Sequence, residues 1–139
     1  MQELTHYING AHVKGTSGRF ADVMNPATGE VQAKCPLASK EELEQAVAVA
    51  AAAQPAWAAT NPQRRARVLM KLVSLLNRDM DKLAEALSRE HGKTLPDAAG
   101  DVQRGLEVVE YCIGAPQLLK GEYTYSAGPG IDMYSMRQA

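Results

Sequence analysis

The stretch from Asn61 to Lys120 carries three apolar stripes in succession, and a chain built this way has few ways to fold. Leu69, Leu72, Val73 and Leu76 are spaced i, i+3, i+4, i+7, which predicts one helix from Pro62 to about Asn77. After the polar break Asn77-Arg78-Asp79, the same spacing restarts at Met80, Leu83, Ala84 and Leu87, and Gly92 ends that second helix. A third helix opens with Pro96 in its first turn and carries Ala99, Val102, Leu106, Val109 and Ile113 on one side. Pro116 falls late in that helix as a defect: it deletes a hydrogen bond and should bend the chain, with Gly121 closing it. Three such stripes must face one another or a sheet to leave water.

The residues before this block predict that sheet. His6-Tyr7-Ile8 and Ala11-His12-Val13 flank Asn9-Gly10, the signal for a two-residue type I′ hairpin. Phe20 to Met24 and Val31 to Cys35 read as extended pieces around the turn Asn25-Pro26-Ala27-Thr28-Gly29-Glu30. Ser39 followed by Glu42 is a capping box, so a helix should start at Lys40 and run to about Trp57 with Leu43, Ala46, Val47, Ala50 and Ala51 inward. Asn61-Pro62 supplies a cap and a first-turn proline for the next helix. Beyond Gly121 the character changes. Tyr123, Tyr125, Ile131, Met133, Tyr134 and Met136 surround Ala127-Gly128-Pro129-Gly130, which reads as an apolar hairpin with a turn at its tip. A hairpin of this kind is sticky unless something covers it. The expected fold class is α+β: a short N-terminal β-hairpin and strands, about four helices, and a C-terminal β-hairpin arm.

With 139 residues the chain has the size of one ordinary domain. Its net charge of -1 gives no electrostatic reason to expect nucleic acid or an anionic membrane as a partner. The longest apolar run, Ala46 to Ala53, is too short to span a bilayer, and Met1-Gln2-Glu3-Leu4 lacks the features of a signal peptide. A cytoplasmic location, or a matrix after processing, is the expectation. Cys35 and Cys112 do not form a secreted disulfide framework. Cys112, beside Ile113, reads as a small buried thiol, and Cys35 has no His nearby in sequence and no basic cluster to activate it. His6, His12 and His91 lack metal-ligand spacing, so no metal site is expected. The basic run Gln63-Arg64-Arg65-Ala66-Arg67 reads as a solvated helix face. Glu90-His91-Gly92-Lys93 follows a helix and lacks the spacing of a phosphate loop, so it reads as a helix end. On motifs alone there is no catalytic site.

From Asn25-Pro26-Ala27-Thr28-Gly29-Glu30-Val31 onward the chain resembles the aldehyde dehydrogenases. Tyr7-Ile8-Asn9-Gly10 is similar to that family's opening hairpin. Trp57, Arg64 with Leu69-Met70, and Glu90-x-Gly92-Lys93 follow in the family's order and approximate spacing. The run from Gly100 to Tyr111, with Gly114-Ala115-Pro116, closely resembles the CoA-acylating methylmalonate-semialdehyde dehydrogenase branch, and Ile131 to Arg137 fits that branch too. The resemblance implies an N-terminal fragment of an α/β enzyme. Residues 1-120 would be the strand-plus-helical part of its NAD-binding domain, and residues 121-139 an oligomerisation arm joining it to further copies.

The chemistry so implied is attack of a cysteine on an aldehyde, hydride transfer to NAD, and passage of the acyl group to coenzyme A with loss of CO2. The family's nucleophile, general base, oxyanion-hole asparagine and nucleotide turn lie downstream of this region, and neither Cys35 nor Cys112 matches the nucleophile's motif. The chain alone should therefore be inactive and bind NAD or coenzyme A poorly. The same resemblance places Arg104 on a helix bordering the substrate tunnel, where its guanidinium could hold the carboxylate of a semialdehyde bidentately. A surface arginine on an amphipathic helix is the alternative. Two other readings stay open: a fragment of a non-acylating aldehyde dehydrogenase, and a non-catalytic helical interaction module.

Overall fold

The computed structural model describes residues 2–138. Its elements, in chain order, are β1 (Gln2–Glu3), β2 (His6–Ile8), β3 (Ala11–Val13), β4 (Phe20–Met24) and β5 (Val31–Pro36). The helices α1 (Lys40–Ala59), α2 (Pro62–Arg78), α3 (Met80–His91), α4 (Leu95–Ile113) and α5 (Ala115–Leu118) follow, then β6 (Tyr123–Gly128) and β7 (Ile131–Tyr134). The expected α+β class is what these elements form. They fall into two compact units: Met1–Thr60 with Asp79–Val102, and Asn61–Arg78 with Gln103–Ala139.

In the first unit β5 is the central strand. It pairs antiparallel with β4, from Phe20 opposite Pro36 to Met24 opposite Val31, with an irregularity at Val23/Met24. On its other side β1 runs parallel, Gln2 opposite Ala33 and Glu3 opposite Lys34, a pairing that no local pattern in the sequence announces. The predicted hairpin is present as β2 and β3, with Ile8 opposite Ala11. Asn9 and Gly10 take φ of 54° and 75°, the two positive values a type I′ turn requires. Between β4 and β5, the Asn25 carbonyl accepts from the Gly29 N–H at 2.8 Å and its Oδ1 from the Ala27 N–H at 2.9 Å.

The capping box forms as predicted. Ser39 Oγ accepts the Glu42 N–H at 3.2 Å, and Glu42 Oε2 accepts the Ser39 N–H at 2.7 Å. The helix that follows continues through Pro55 to Ala59. Its buried face differs from the expected one. Ala46 is half-buried and so is Val49, but Leu43 and Val47 are both 60% exposed, and Ala50 and Ala51 are also exposed. Tyr7, Ile8, Asn9 and Gly10 form a groove with Ala46, Val49, Ala50 and Ala53, so the hairpin covers one flank of the helix and leaves the other bare.

The end of α3 is fastened to the β4–β5 turn. Gln32 Nε2 donates to the carbonyls of Met24 and Arg89, both at 3.1 Å. Gly92 caps the helix at φ 83°, where its N–H donates to Ser88 O at 2.8 Å. A Cβ on Gly92 would lie 2.8 Å from Pro26 Cγ.

The stripes of α2, in the second unit, and of α4, which belongs to the first unit up to Val102 and to the second from Gln103, fall where their spacing predicts. Leu69, Val73 and Leu76 are half-buried, with Leu72 at the exposed edge, and Leu106 is buried between half-buried Val102 and Val109. The third helix ends earlier than expected, at Ile113. Gly114 breaks it and Pro116 stands in the first turn of the separate helix α5, so the proline starts a helix and does not bend one. α5 packs on α2. Strands β6 and β7 form the expected hairpin, with Tyr123 opposite Tyr134 and Thr124 opposite Met133. Gly121 does not close a helix. It lies against Ser135, whose carbonyl oxygen leaves no room for a Cβ.

The buried apolar side chains among the described residues are Ala33, Pro36, Ala66, Ala84, Ala98 and Leu106. The fold therefore leans on caps and backbone pairing. Replacing Gly92 by Ala should lower stability by about 1–3 kcal/mol, through the positive φ and the contact with Pro26. Gly100→Ala, at a helical position with nothing within 4 Å of the new methyl, should be neutral or stabilising by up to about 1 kcal/mol. Urea midpoints of the two variants check this contrast. Equal midpoints would refute it.

Candidate functional site

Helix α4 is the element on which the sequence places its one candidate site residue. Thr94 starts it: Thr94 Oγ1 donates to Asp97 Oδ2 at 2.8 Å, and the Thr94 carbonyl accepts the Ala98 N–H at 2.9 Å. From there the 3.6-residue period turns Ala98, Val102, Leu106, Val109 and Ile113 inward. Arg104, Val108 and Tyr111 follow the spacing i, i+4, i+7 on an exposed face, and Val108 and Tyr111 are 62% and 71% exposed. The result is a guanidinium at one end of an apolar stripe. Arg104 already has an interaction within the chain, so it is a held cation.

The remaining candidates do not converge. Cys112 is exposed, contrary to the expected buried thiol, because it stands one helical position off the stripe that Val109 and Ile113 occupy. Cys35 is half-buried, its thiol 3.9 Å from its nearest acceptor, Pro36 O. His12 Nδ1 meets Thr5 Oγ1 at 2.9 Å and its ring stands edge-on to Tyr7, whereas His6 Nε2 is buried without a hydrogen bond. Among the described residues no group of three or more His, Cys, Asp or Glu could hold a metal ion. No helix of the described residues is long and apolar enough to cross a membrane.

The basic run on α2 departs from the expected solvated face. Arg64 and Arg67 are exposed, but Ala66 is buried and Arg65 half-buried, with its Nε lacking a partner. The helical period explains this, because positions 65 and 66 precede Leu69 by four and three residues. After α3, Lys93 Nζ is paired with Asp101 Oδ2 and the Lys93 carbonyl accepts from Ser88 Oγ at 2.8 Å, so this lysine braces the entry to α4.

A nucleotide-binding turn would need a glycine-rich passage from strand to helix. The strand-to-helix passage here, Leu37 to Ser39 between β5 and α1, contains no glycine. These residues do not fit the pyrophosphate of NAD.

Residues 12–139 match the aldehyde dehydrogenase family. The chain belongs to that family. It is 49% identical over 135 residues to the malonate-semialdehyde dehydrogenase of Pseudomonas aeruginosa, covering 97% of this chain and 27% of that one. It is 46% identical over 131 residues to the acylating, mitochondrial methylmalonate-semialdehyde dehydrogenase of Arabidopsis thaliana, covering 94% and 22%. A crystal structure described as methylmalonate-semialdehyde dehydrogenase from Sinorhizobium meliloti 1021, complexed with NAD, superposes with a TM-score of 0.92 at 64% identity. That match covers 99% of this chain and 28% of the other. This aldehyde dehydrogenase chain thus spans roughly a quarter of the length of these relatives.

The hairpin has its own electrostatic pin. Tyr123 Oη donates to Asp132 Oδ2 at 2.5 Å and the Ser126 N–H donates to Asp132 Oδ1 at 2.8 Å. The Tyr123 hydroxyl and then the Ser126 N–H hold the Asp132 carboxyl below its ordinary value, while the same bond to Asp132 pushes the Tyr123 phenol up. A depressed carboxyl contributes above its unfolded value of about 4, and is lost as pH falls through the folded one. A raised phenol contributes below about 10, and is lost as pH rises through its folded value. The Ser126 amide signal in NMR should therefore stay constant between those limits and shift beyond both. In Asp132→Asn it should shift already at neutral pH. A Ser126 signal indifferent to that substitution would refute the pin.

Proposed function

We propose that this chain is the N-terminal portion of an NAD-dependent, CoA-acylating semialdehyde dehydrogenase that acts on malonate or methylmalonate semialdehyde in the cytoplasm. The observation that carries the reading is the agreement between relatives of that description and a guanidinium set on an exposed apolar helix face. In this reading residues 1–120 form part of the NAD-binding domain. The nucleophile, the base and the sites for NAD and coenzyme A come from chain beyond the matched region, and the 139 residues alone turn over nothing. Arg104 holds the substrate carboxylate, and the apolar residues beside it take up the carbon chain.

A cation at this position can recognise a semialdehyde carboxylate whether the acyl group passes to coenzyme A or to water. Substrate discrimination therefore tests the role of Arg104, and dependence of turnover on coenzyme A separates the acylating from the non-acylating reading. In the full-length enzyme, Arg104→Ala should raise KM for methylmalonate semialdehyde by the worth of a buried charge-assisted pair. That is on the order of 2–4 kcal/mol, about 30- to 1,000-fold. Propionaldehyde, which lacks the carboxylate, should be much less affected, and the unmodified 139-residue chain in the same NADH assay should give background only. Equal losses for both substrates would assign Arg104 a structural role.

Residues 121–139 serve in this reading as the arm through which copies of the enzyme associate. Tyr123, Tyr125, Ile131, Met133, Tyr134 and Met136 are all exposed. Burying side chains of this size is worth roughly 1.5–3 kcal/mol each, and edge pairing between two arms satisfies the outward backbone groups. Closed two-fold symmetry is the commonest arrangement for identical chains. Sedimentation should find the 139-residue chain self-associated and a version lacking residues 121–139 monomeric. Monomers in both cases at micromolar concentration would remove the arm from the proposal.

A further inference from the structure

The chain has four asparagines, Asn9, Asn25, Asn61 and Asn77, and their surroundings differ in a way that matters chemically. An asparagine side chain loses ammonia when the backbone nitrogen of the next residue attacks its Cγ and closes a five-membered ring. The reaction needs an N–H on the following residue, a carboxamide free to turn, and a backbone with room for the ring. Asn25 and Asn61 each precede a proline, which has no N–H to supply. Their carboxamides are also engaged: Asn25 Oδ1 accepts the Ala27 N–H at 2.9 Å, and Asn61 Oδ1 the Gln63 N–H at 2.8 Å. Asn77 lies inside α2, where its Nδ2 donates to the Val73 carbonyl at 3.0 Å and helical pairing holds the backbone.

Asn9 is under none of these restraints. It precedes Gly10, both residues are exposed, and among the described residues its carboxamide has no hydrogen-bond partner. In the two-residue loop Ile8 and Ala11 make the last pair of the ladder, which leaves the Gly10 N–H outside it. Among the described residues nothing lies within 4 Å of where a Cβ on Gly10 would stand. Neither a side chain nor a neighbour therefore obstructs rotation of the Asn9–Gly10 peptide into the ring. Strands β2 and β3 have three residues each, so their own pairing holds the turn only weakly.

We propose that Asn9 is a site of spontaneous modification, at which the chain converts to aspartate and isoaspartate. The Gly10 nitrogen forms a bond to Asn9 Cγ, and its proton passes by way of solvent to the departing side-chain nitrogen. The Cγ–Nδ2 bond breaks and ammonia leaves. Water then opens the ring at either of its carbonyls. Attack at Cγ restores the normal backbone with aspartate, and attack at the backbone carbonyl leaves the chain running through the side chain as isoaspartate. The sum is amide plus water giving carboxylate plus ammonium, with no oxidant, reductant or cofactor. Either product brings a new negative charge to the groove lined by Ala46, Val49, Ala50 and Ala53 of α1. Isoaspartate also adds a backbone carbon to a loop whose length sets the strand register.

Incubation of the 139-residue chain in water enriched in heavy oxygen, at neutral and mildly alkaline pH, tests it when followed by peptide mapping in a mass spectrometer. Asn9 should convert roughly tenfold or more faster than Asn25, Asn61 and Asn77, and faster as pH rises, because the attacking nitrogen must lose its proton. Each event should fix one heavy oxygen, and isoaspartate should appear among the products, detected by enzymatic methylation. In the isoaspartate form the Ile8 amide should exchange roughly tenfold or more faster than in the parent chain. Conversion at equal rates at all four asparagines would overturn the proposal. So would aspartate without isoaspartate, which marks direct hydrolysis with no ring. Conversion in guanidinium that is absent from the folded chain would show that the turn shields Asn9 and would likewise overturn it. An Ile8 amide exchanging as before would remove the stated effect on the hairpin.

Discussion

The carboxylate of Glu42 ties together the sheet, the loop after the first hairpin and the long helix. It accepts the Ser39 N–H at the start of α1 and the Thr16 N–H of that loop, each at 2.7 Å. The Ser39 and Thr16 N–H groups hold its carboxyl below the ordinary value, so it stays ionised as an acceptor. The loop is fastened again by Arg19 Nη2 to Ala38 O at 2.9 Å, by Leu37 N to Arg19 O at 2.9 Å, and by Ser17 Oγ to Leu37 O. Gly15 presses on Pro36 closely enough that a Cβ would sit 2.7 Å from the proline's own. Each exposed bond of this kind is weak alone. As a set they fix the direction in which α1 leaves β5, a direction that one-sided packing of α1 could not fix.

The rest of the architecture follows a similar economy. The buried apolar positions of the described residues are four alanines, Pro36 and Leu106, and none of their large side chains is completely enclosed. Small buried residues let backbones approach but remove little apolar area from water. Polar fasteners set the geometry beside them: Gln32 bridging Met24 and Arg89, Lys93 on Asp101, and the Tyr123–Asp132–Ser126 pin. Fasteners define geometry well and contribute modestly to stability.

Features set by local chemistry were legible in the sequence. Asn9-Gly10, Ser39 with Glu42, Gly92 and the four-residue stripes each specify a backbone conformation or a helix face without reference to distant residues. The errors arose where a neighbour decides. Leu43 and Val47 obey the helical period, but the groove with the hairpin is formed by Ala46, Val49, Ala50 and Ala53. Cys112 sits beside Ile113 in sequence yet a third of a turn away on the helix, and adjacency misled. Pro116 could bend a helix or begin one, and Gly114 decides for the second. Arg65 shares its charge with Arg64 and Arg67, but its position in the period turns it inward. The parallel strand β1 leaves no signal because two residues carry no periodicity.

The same distinction explains how much of the candidate site could be read. Arg104 is a candidate because the family resemblance points to it, and the helical period by itself fixes only its spacing from Val108 and Tyr111. A catalytic centre requires groups from several elements to meet within hydrogen-bond distance, and such convergence is a property of tertiary structure. The division has a chemical consequence on the proposed reading. A cation held at one end of a Val–Tyr stripe can choose among aldehydes by their far end, while the reactive end is left to residues carried elsewhere. Selection and reaction then rest on separate stretches of chain, so a change at Arg104 can alter which aldehyde binds without touching how it reacts. Coupling between the two depends on how firmly α4 is seated. Its seat is the Thr94 cap, the Lys93–Asp101 pair and the inward row from Ala98 to Ile113, all of them local to this chain.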